Sequence, residues 1–165
     1  MNFKEQVDAY IASGKKVLNL IIKQQYYDEI LAGTKKQEFR EIKPSTEKKY
    51  ILLDKEGYAA EDENGNSIPI HYDALLLYVG YKPDREAMLI ECTGASTQVL
   101  VDENDEPLFF FIDKNTRKEV FPRYYDPDTF EALDEKNNVI ENYEVYYSEQ
   151  ITYDLGKIIA KKLNR

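Results

Sequence analysis

Lys35-Lys36-Gln37-Glu38-Phe39-Arg40 holds four ionisable side chains, of which those at positions 35, 38 and 40 are spaced to act together. An ammonium, a carboxylate and a guanidinium at this spacing suit the capture of a polar ligand. The guanidinium's planar fork of donors fits a phosphate, a carboxylate or a base edge. If 37–40 is a strand, successive side chains point to opposite faces, so Glu38 and Arg40 share one face and Gln37 and Phe39 the other. On that reading Phe39 belongs to the core, and Glu38 and Arg40 face a groove. Tyr26, nine residues before Lys35, offers a ring on which an unstacked base could rest. Other constellations are weaker. Cys92 as a nucleophile needs a nearby histidine, and the sole histidine, His71, sits in a turn-like segment. Asp62-x-Asn64-x-Asn66 has its glycine at the fourth place rather than the sixth of a calcium loop, so it reads as a hairpin turn. One cysteine and one histidine leave no zinc cluster, and no metal or cofactor is expected.

The elements that must position these groups are legible from periodicity. Residues 2 to 13 place Phe3, Val7, Tyr10 and Ile11 on one helical stripe, with Gly14 as a stop. Val17 to Ile22 is an apolar run expected to form a strand, followed by a short helix over 24 to 32. Gly33 stands where that helix needs a residue of positive φ, and the motif strand follows to Arg40. Further strands are expected at 50–53, at 74–79, buried on both faces, at 86–93 and at 151–155. A basic tail runs from Lys157 to Lys162. Segments beginning at Asp62, Asp102 and Asp134 look alike as polar turns, but their apolar flanks do not match, so they do not read as a true repeat.

The pattern Gly33-x-Lys35-x-x-Glu38-x-Arg40, preceded by Ile30-Leu31-Ala32, resembles the signature of the ASCH family, which belongs to the PUA-like β-barrels. The resemblance is best over 17–42, 74–93 and 151–160. It implies an α+β, β-rich PUA-like barrel capped by one or two short helices, with hairpin elaborations, in a single domain. It also implies a cleft whose floor carries Lys35, Glu38 and Arg40, flanked by Tyr26, with Glu91 on the neighbouring strand as a second carboxylate. Some ASCH proteins are amidohydrolases on acetylated cytidine, thought to use the motif lysine, a threonine three residues later and a separate glutamate. Lys35 matches the lysine, but Glu38 occupies the threonine's place, so that route lacks its hydroxyl. Other relatives are reported as ribonucleases.

Composition sets bounds on all of this. The 165 residues suffice for one domain with a proper core, and 14 Tyr and 7 Phe without Trp favour strands. No apolar run approaches the ~20 residues that span a bilayer, and the start lacks a signal-peptide pattern, so no membrane partner and a cytoplasmic location are expected. The net charge of −9 argues against sequence-blind binding to long nucleic acid. That charge is uneven: residues 1–49 hold 10 basic and 7 acidic groups, 50–150 hold 8 and 23, and 151–165 hold 4 and 1. The expected function is binding of RNA or a nucleotide-like small molecule. The alternatives are hydrolysis of a modified nucleoside or RNA in the same cleft, and a protein-interaction module using the acidic, tyrosine-rich stretch at about 97–148.

Overall fold

The computed structural model describes residues 1 to 164. In chain order the elements are α1 (Phe3–Ala12), β1 (Val17–Ile22), α2 (Gln24–Leu31), β2 (Gln37–Ile42), α3 (Glu47–Tyr50), β3 (Ala74–Val79) and β4 (Ala87–Val99). There follow β5 (Phe109–Asp113), β6 (Glu119–Val120), β7 (Tyr124–Asp126), β8 (Glu131–Leu133), β9 (Tyr143–Tyr147) and β10 (Glu149–Lys162). The chain divides into two compact units. Unit 1 comprises Met1–Gln98 with Gln150–Arg165, and unit 2 is Val99–Glu149.

Unit 1 is built on a five-stranded sheet ordered β1-β3-β4-β10-β2. β1 runs parallel to β3, which the α2–β2 crossover and the segment after it make possible, and β3 is antiparallel to β4. Period-two alternation then sorts the side chains. Leu18, Leu20, Ile22, Leu75, Leu77, Met88, Ile90, Ile151 and Tyr153 form the larger core with Tyr27 and Ile30 of α2. Ala74, Leu76, Leu89 and Ala160 face the other way and pack with Val7 of α1. Both faces of β3 are therefore covered, which is why its run of leucines shows no alternation. Tyr27 and Ile30, three apart on α2, share a face and are sealed at 0% and 4% exposure. Burial of each contributes roughly 2–3 kcal/mol. α1 is started by a capping box in which the Asn2 side chain accepts from the Glu5 amide and Glu5 reaches back.

Several expectations are corrected. The fold is mixed α+β and β-rich, but the sheet is open, with β1 and β2 at its edges, rather than closed into a barrel. β10 lies between β4 and β2, so the strand carrying Glu91 is not the neighbour of the motif strand. Instead of a strand over 50–53 there is the one-turn helix α3, after which Ile51 and Leu53 make only isolated bridges to Pro69 and Ala59. The basic tail is not a tail: β10 continues to Lys162, burying Ala160 in the cluster with Val7, Ala74, Leu76 and Leu89. Phe39 is 44% exposed and Glu38 only 5%, so the face carrying Glu38 and Arg40, which also buries Ile42, is the inner one, and Phe39 is not core.

The polar turns do share one conformation. In the turns starting at Asp54, Asp62, Asp102 and Asp134, the first Asp carboxylate accepts the amides two and four residues on, at 2.8 to 3.0 Å. The fourth residue, Gly57, Gly65, Asp105 or Asn137, has positive φ. Asp113 and Asp126 open a variant in which the fifth residue, Arg117 or Phe130, takes that conformation. Beyond two of these turns three segments close a ring of backbone bonds. In unit 1 Ala60 N donates to Leu52 O, Ile68 N to Ala60 O and Leu52 N to Ile68 O, at 2.9 to 3.0 Å. In unit 2 Leu108 N donates to Leu100 O, Ser148 N to Leu108 O and Leu100 N to Ser148 O, at 2.7 to 2.9 Å. Unit 2 adds the sheets β6-β5-β9 and β7-β8. Its aromatics pack both ways, Tyr125 edge-on at 5.0 Å from Phe111 and Phe110 stacked on Tyr146 at 5.5 Å.

Candidate functional site

The turn between α2 and β2 places the motif lysine. Gly33, at φ +81°, ends the helix, and its amide bonds to Ile30 O while those of Thr34 and Lys35 both reach Glu29 O. Lys35 is thereby delivered to the outer surface, where its Nζ lies 5.1 Å from the ring centroids of both Tyr26 and Phe39. Both rings are accessible, at 37% and 44% exposure. A half-buried lysine bracketed by two open aromatic rings is held by attraction to their faces. Two depressions adjoin it. One, of about 530 Å³, is lined by Ile30, Leu31, Lys35, Lys36, Leu155 and Lys157, among others; a second, of about 490 Å³, includes Thr34, Gln37 and Phe39.

Glu38 and Arg40 point the opposite way, toward Tyr50 and Tyr153 of the larger core. Arg40 donates from Nη2 to the backbone carbonyl of Ile21 at 2.8 Å. Because β2 and β1 are the two edges of the sheet, this bond ties one edge to the other. Its Nε lies 3.3 Å from Glu38 Oε1, within ion-pair range but out of line for a hydrogen bond. Leu155 N bonds to Lys36 O at 3.0 Å, and Gln37 Nε2 to Asp154 at 2.8 Å. Both contacts fit an antiparallel β2–β10 pairing in which Glu38 and Tyr153 come next, consistent with the burial of both. Glu38 Oε2 and the Tyr153 hydroxyl are fully buried without a hydrogen-bond partner among the described residues. Burial above all pushes the Tyr153 phenol far above its ordinary range, with Tyr72, Tyr50 and Cys92 adding to the rise and Arg40 opposing it. Tyr50, 6.5 Å from Tyr153 ring to ring, is also raised by burial, with Arg40 opposing and Glu38 reinforcing.

The cavities that Lys35 lines contain neither Glu38 nor Arg40, so the structure separates the motif into an outer group, Tyr26, Lys35 and Phe39, and an inner pair, Glu38 and Arg40. Glu91 belongs to neither. It lies on the α1 side of the sheet, where its charge helps raise the Tyr10 phenol after burial and Asp73, and it abuts Gly156 of β10. The exposed Phe39 was hidden from sequence reasoning because an aromatic on a strand is ordinarily core. Cys92 and His71 line a common cavity of about 200 Å³, but His71 Nε2 is turned to Asp73 Oδ1 at 3.1 Å. The Cys92 thiol donates to Gly94 O at 3.5 Å, and burial raises its pKa, which keeps it a thiol rather than a nucleophile. Among the described residues no group of three His, Cys, Asp or Glu is placed to hold a metal. Among the described residues no helix is long and apolar enough to cross a membrane.

Compared with protein-family models, curated proteins and solved structures, the chain matches none of them.

Proposed function

We propose that unit 1 is an ASCH-like binding module for single-stranded RNA or a nucleoside, with its ligand held on the outer face of the α2–β2 turn. The observation that carries this reading is the Lys35 ammonium set between the exposed rings of Tyr26 and Phe39, beside a depression that adds Lys36 and Lys157. Aromatic faces stack bases whatever their sequence, and lysines neutralise the backbone. The inner pair supports this face from behind, since Arg40 joins the edge strands that a PUA-like barrel would bring together.

Titration of isotopically labelled protein with short oligouridylates and nucleosides at moderate salt tests the reading. Saturable amide shifts at residues 26 and 33–40 are expected. Because stacking is worth about 1–3 kcal/mol per base, Phe39→Ala should weaken binding roughly tenfold or more. Absence of any shift there at millimolar ligand would overturn it. Hydrolysis is the second reading, favoured by Glu38 Oε2, a buried carboxylate oxygen without a hydrogen-bond partner among the described residues; it requires the edge strands that Arg40 joins to part so that a substrate can reach that oxygen. Glu38→Gln separates the two: turnover would vanish while binding stayed within a few-fold of wild type.

A further inference from the structure

A further cavity lies on the α1 side of the same sheet. It measures about 410 Å³, within the range of small-molecule sites, and is formed where α1 crosses the end of β3, the start of β4 and the last residues of β10. Its apolar walls are Phe3 and Val7 of α1 with Pro83 and Ala87, and its rim carries Tyr81, 84% exposed. Four cations also line it, Lys4, Lys82, Arg85 and Lys162, against one carboxylate, Asp8. Asp8 is committed to Lys4 at 2.7 Å. Lys82, Arg85 and Lys162 have no ion-pair partner among the described residues, so three positive charges converge uncompensated on a half-apolar hollow in a unit whose net charge is zero.

Arg85 shows that the charge is positioned and not merely nearby. Its guanidinium lies 3.9 Å above the Tyr78 ring, and Nη1 donates to Gly80 O at 2.7 Å. Those two contacts fix the plane of the group while using one of its five donors. The loop that bears it is held at its base by Val79 N to Glu86 O at 2.9 Å, and at its tip by Asn164 Nδ2 to Asp84 at 3.2 Å. A stacked, half-buried guanidinium with free donors is preorganised for an oxyanion, and the adjacent Phe3, Val7 and Pro83 provide a dry seat for a hydrocarbon or ring.

We propose that this cavity binds a small organic anion, a phosphate or carboxylate joined to an apolar or aromatic body, with Arg85, Lys82 and Lys162 on the anionic head and Phe3, Val7, Pro83 and Tyr81 around the body. The site shares no residue with the Lys35 face and stands independently of the RNA-binding reading.

Titration of labelled full-length protein with four probes tests it: phenyl phosphate, 3-phenylpropionate, benzyl alcohol and inorganic phosphate. At least one of the two aryl anions should give saturable shifts at Tyr78, Tyr81, Arg85 and Ala87, at least about tenfold tighter than benzyl alcohol or inorganic phosphate. Which aryl anion binds tighter identifies the head group as phosphate or carboxylate. Arg85→Gln should weaken the preferred probe about tenfold or more. The double variant Lys82→Gln/Lys162→Gln changes only exposed side chains and should weaken it as well, so the proposal does not depend on the fold tolerating loss of Arg85. Failure of both aryl anions to shift these residues at millimolar concentration, equal binding of benzyl alcohol, or wild-type affinity in the double lysine variant would each overturn the assignment.

Discussion

Tyr27 and Tyr153 lie in the same core, each at 0% exposure, yet their hydroxyls have opposite circumstances. Tyr27 donates to Ala87 O at 3.0 Å and lies 3.3 Å from Lys162 O, whereas Tyr153 has no partner for its hydroxyl among the described residues. A buried hydroxyl that is bonded contributes about 1 kcal/mol, and one that is not is a desolvation cost of similar or greater size. Tyr27→Phe is therefore expected to destabilise by about 1–2 kcal/mol, and Tyr153→Phe to be neutral or stabilising by up to about 1 kcal/mol, in urea unfolding. Equal losses in the two variants would mean that the Tyr153 hydroxyl has a partner after all. Asp73 gives a pH-dependent counterpart. Its carboxylate accepts the Lys16 amide at 2.8 Å and faces His71, and these hold its pKa below the usual value, the amide most. A depressed carboxyl contributes stability that is present above its ordinary pKa, about 4, and is lost as pH falls through the lowered folded value. Unfolding midpoints measured from neutral pH into acid should thus fall more steeply for wild type than for Asp73→Asn. Superimposable curves would show that this carboxylate is not linked to folding.

At the scale of elements, β1 and β3 are legible as short apolar runs of strand length, and α2 and the motif strand because Gly33 marks the helix end between them. What the sequence hides is a matter of sign and of neighbours. Alternation places Glu38 and Arg40 on one face but does not say which face is inside, and the answer came from Arg40 finding the Ile21 carbonyl across the sheet opening. The full length of β10 was hidden because its closing half opens on Gly156 and carries Lys157, Lys161 and Lys162, with Ala160 its one buried side chain there. The turn family was hidden for a different reason. Its conformation needs only an Asp at the first place and tolerance of positive φ at the fourth, so the apolar flanks are free to diverge. A matched pair of substitutions at that fourth place tests this account. Gly65, at φ +79°, meets no neighbour within 4 Å where a Cβ would be added, so Gly65→Ala isolates backbone strain and should cost about 1 kcal/mol. Asn137 holds φ 63° in the same position of an equivalent turn, and Asn137→Gly should change stability by less than about 0.5 kcal/mol. If both variants behave alike in thermal unfolding, the two turns are not equivalent.

Over the whole molecule, charge is divided between the units more sharply than any tripartite count of the sequence reveals. Val99–Glu149 holds 14 acidic and 5 basic residues, a net −9, which is the entire net charge of the chain; the remaining 17 acidic and 17 basic residues of unit 1 cancel. Four of those carboxylates, Asp102, Asp113, Asp126 and Asp134, are occupied in capping turns, and the rest leave unit 2 strongly negative. Both clusters of the unit 1 core are built without a residue from unit 2, and Leu100 N bonds to Ser148 O at 2.7 Å, so the two ends of the insertion run side by side. Replacing 99–149 by a short Gly-Ser linker should leave unit 1 folded, with amide spectra of β1, α2 and β3 overlaying those of the full chain. Its consequence for ligand binding follows from long-range electrostatics. At 0.01 M salt the Debye length is about 30 Å, so the field of unit 2 reaches a phosphate at the Lys35 face whatever the orientation of the units, and it opposes binding. The deletion should therefore bind oligouridylate more tightly than the full chain at low salt. At 1 M salt, where screening acts within about 3 Å, the two affinities should converge. Nucleosides, which carry no phosphate, should show no such gain at either salt. Weaker oligouridylate binding by the deletion at every salt concentration would instead give unit 2 a direct part in holding RNA, and the acidic unit would have to be read as part of the site and not as a filter on its ligands.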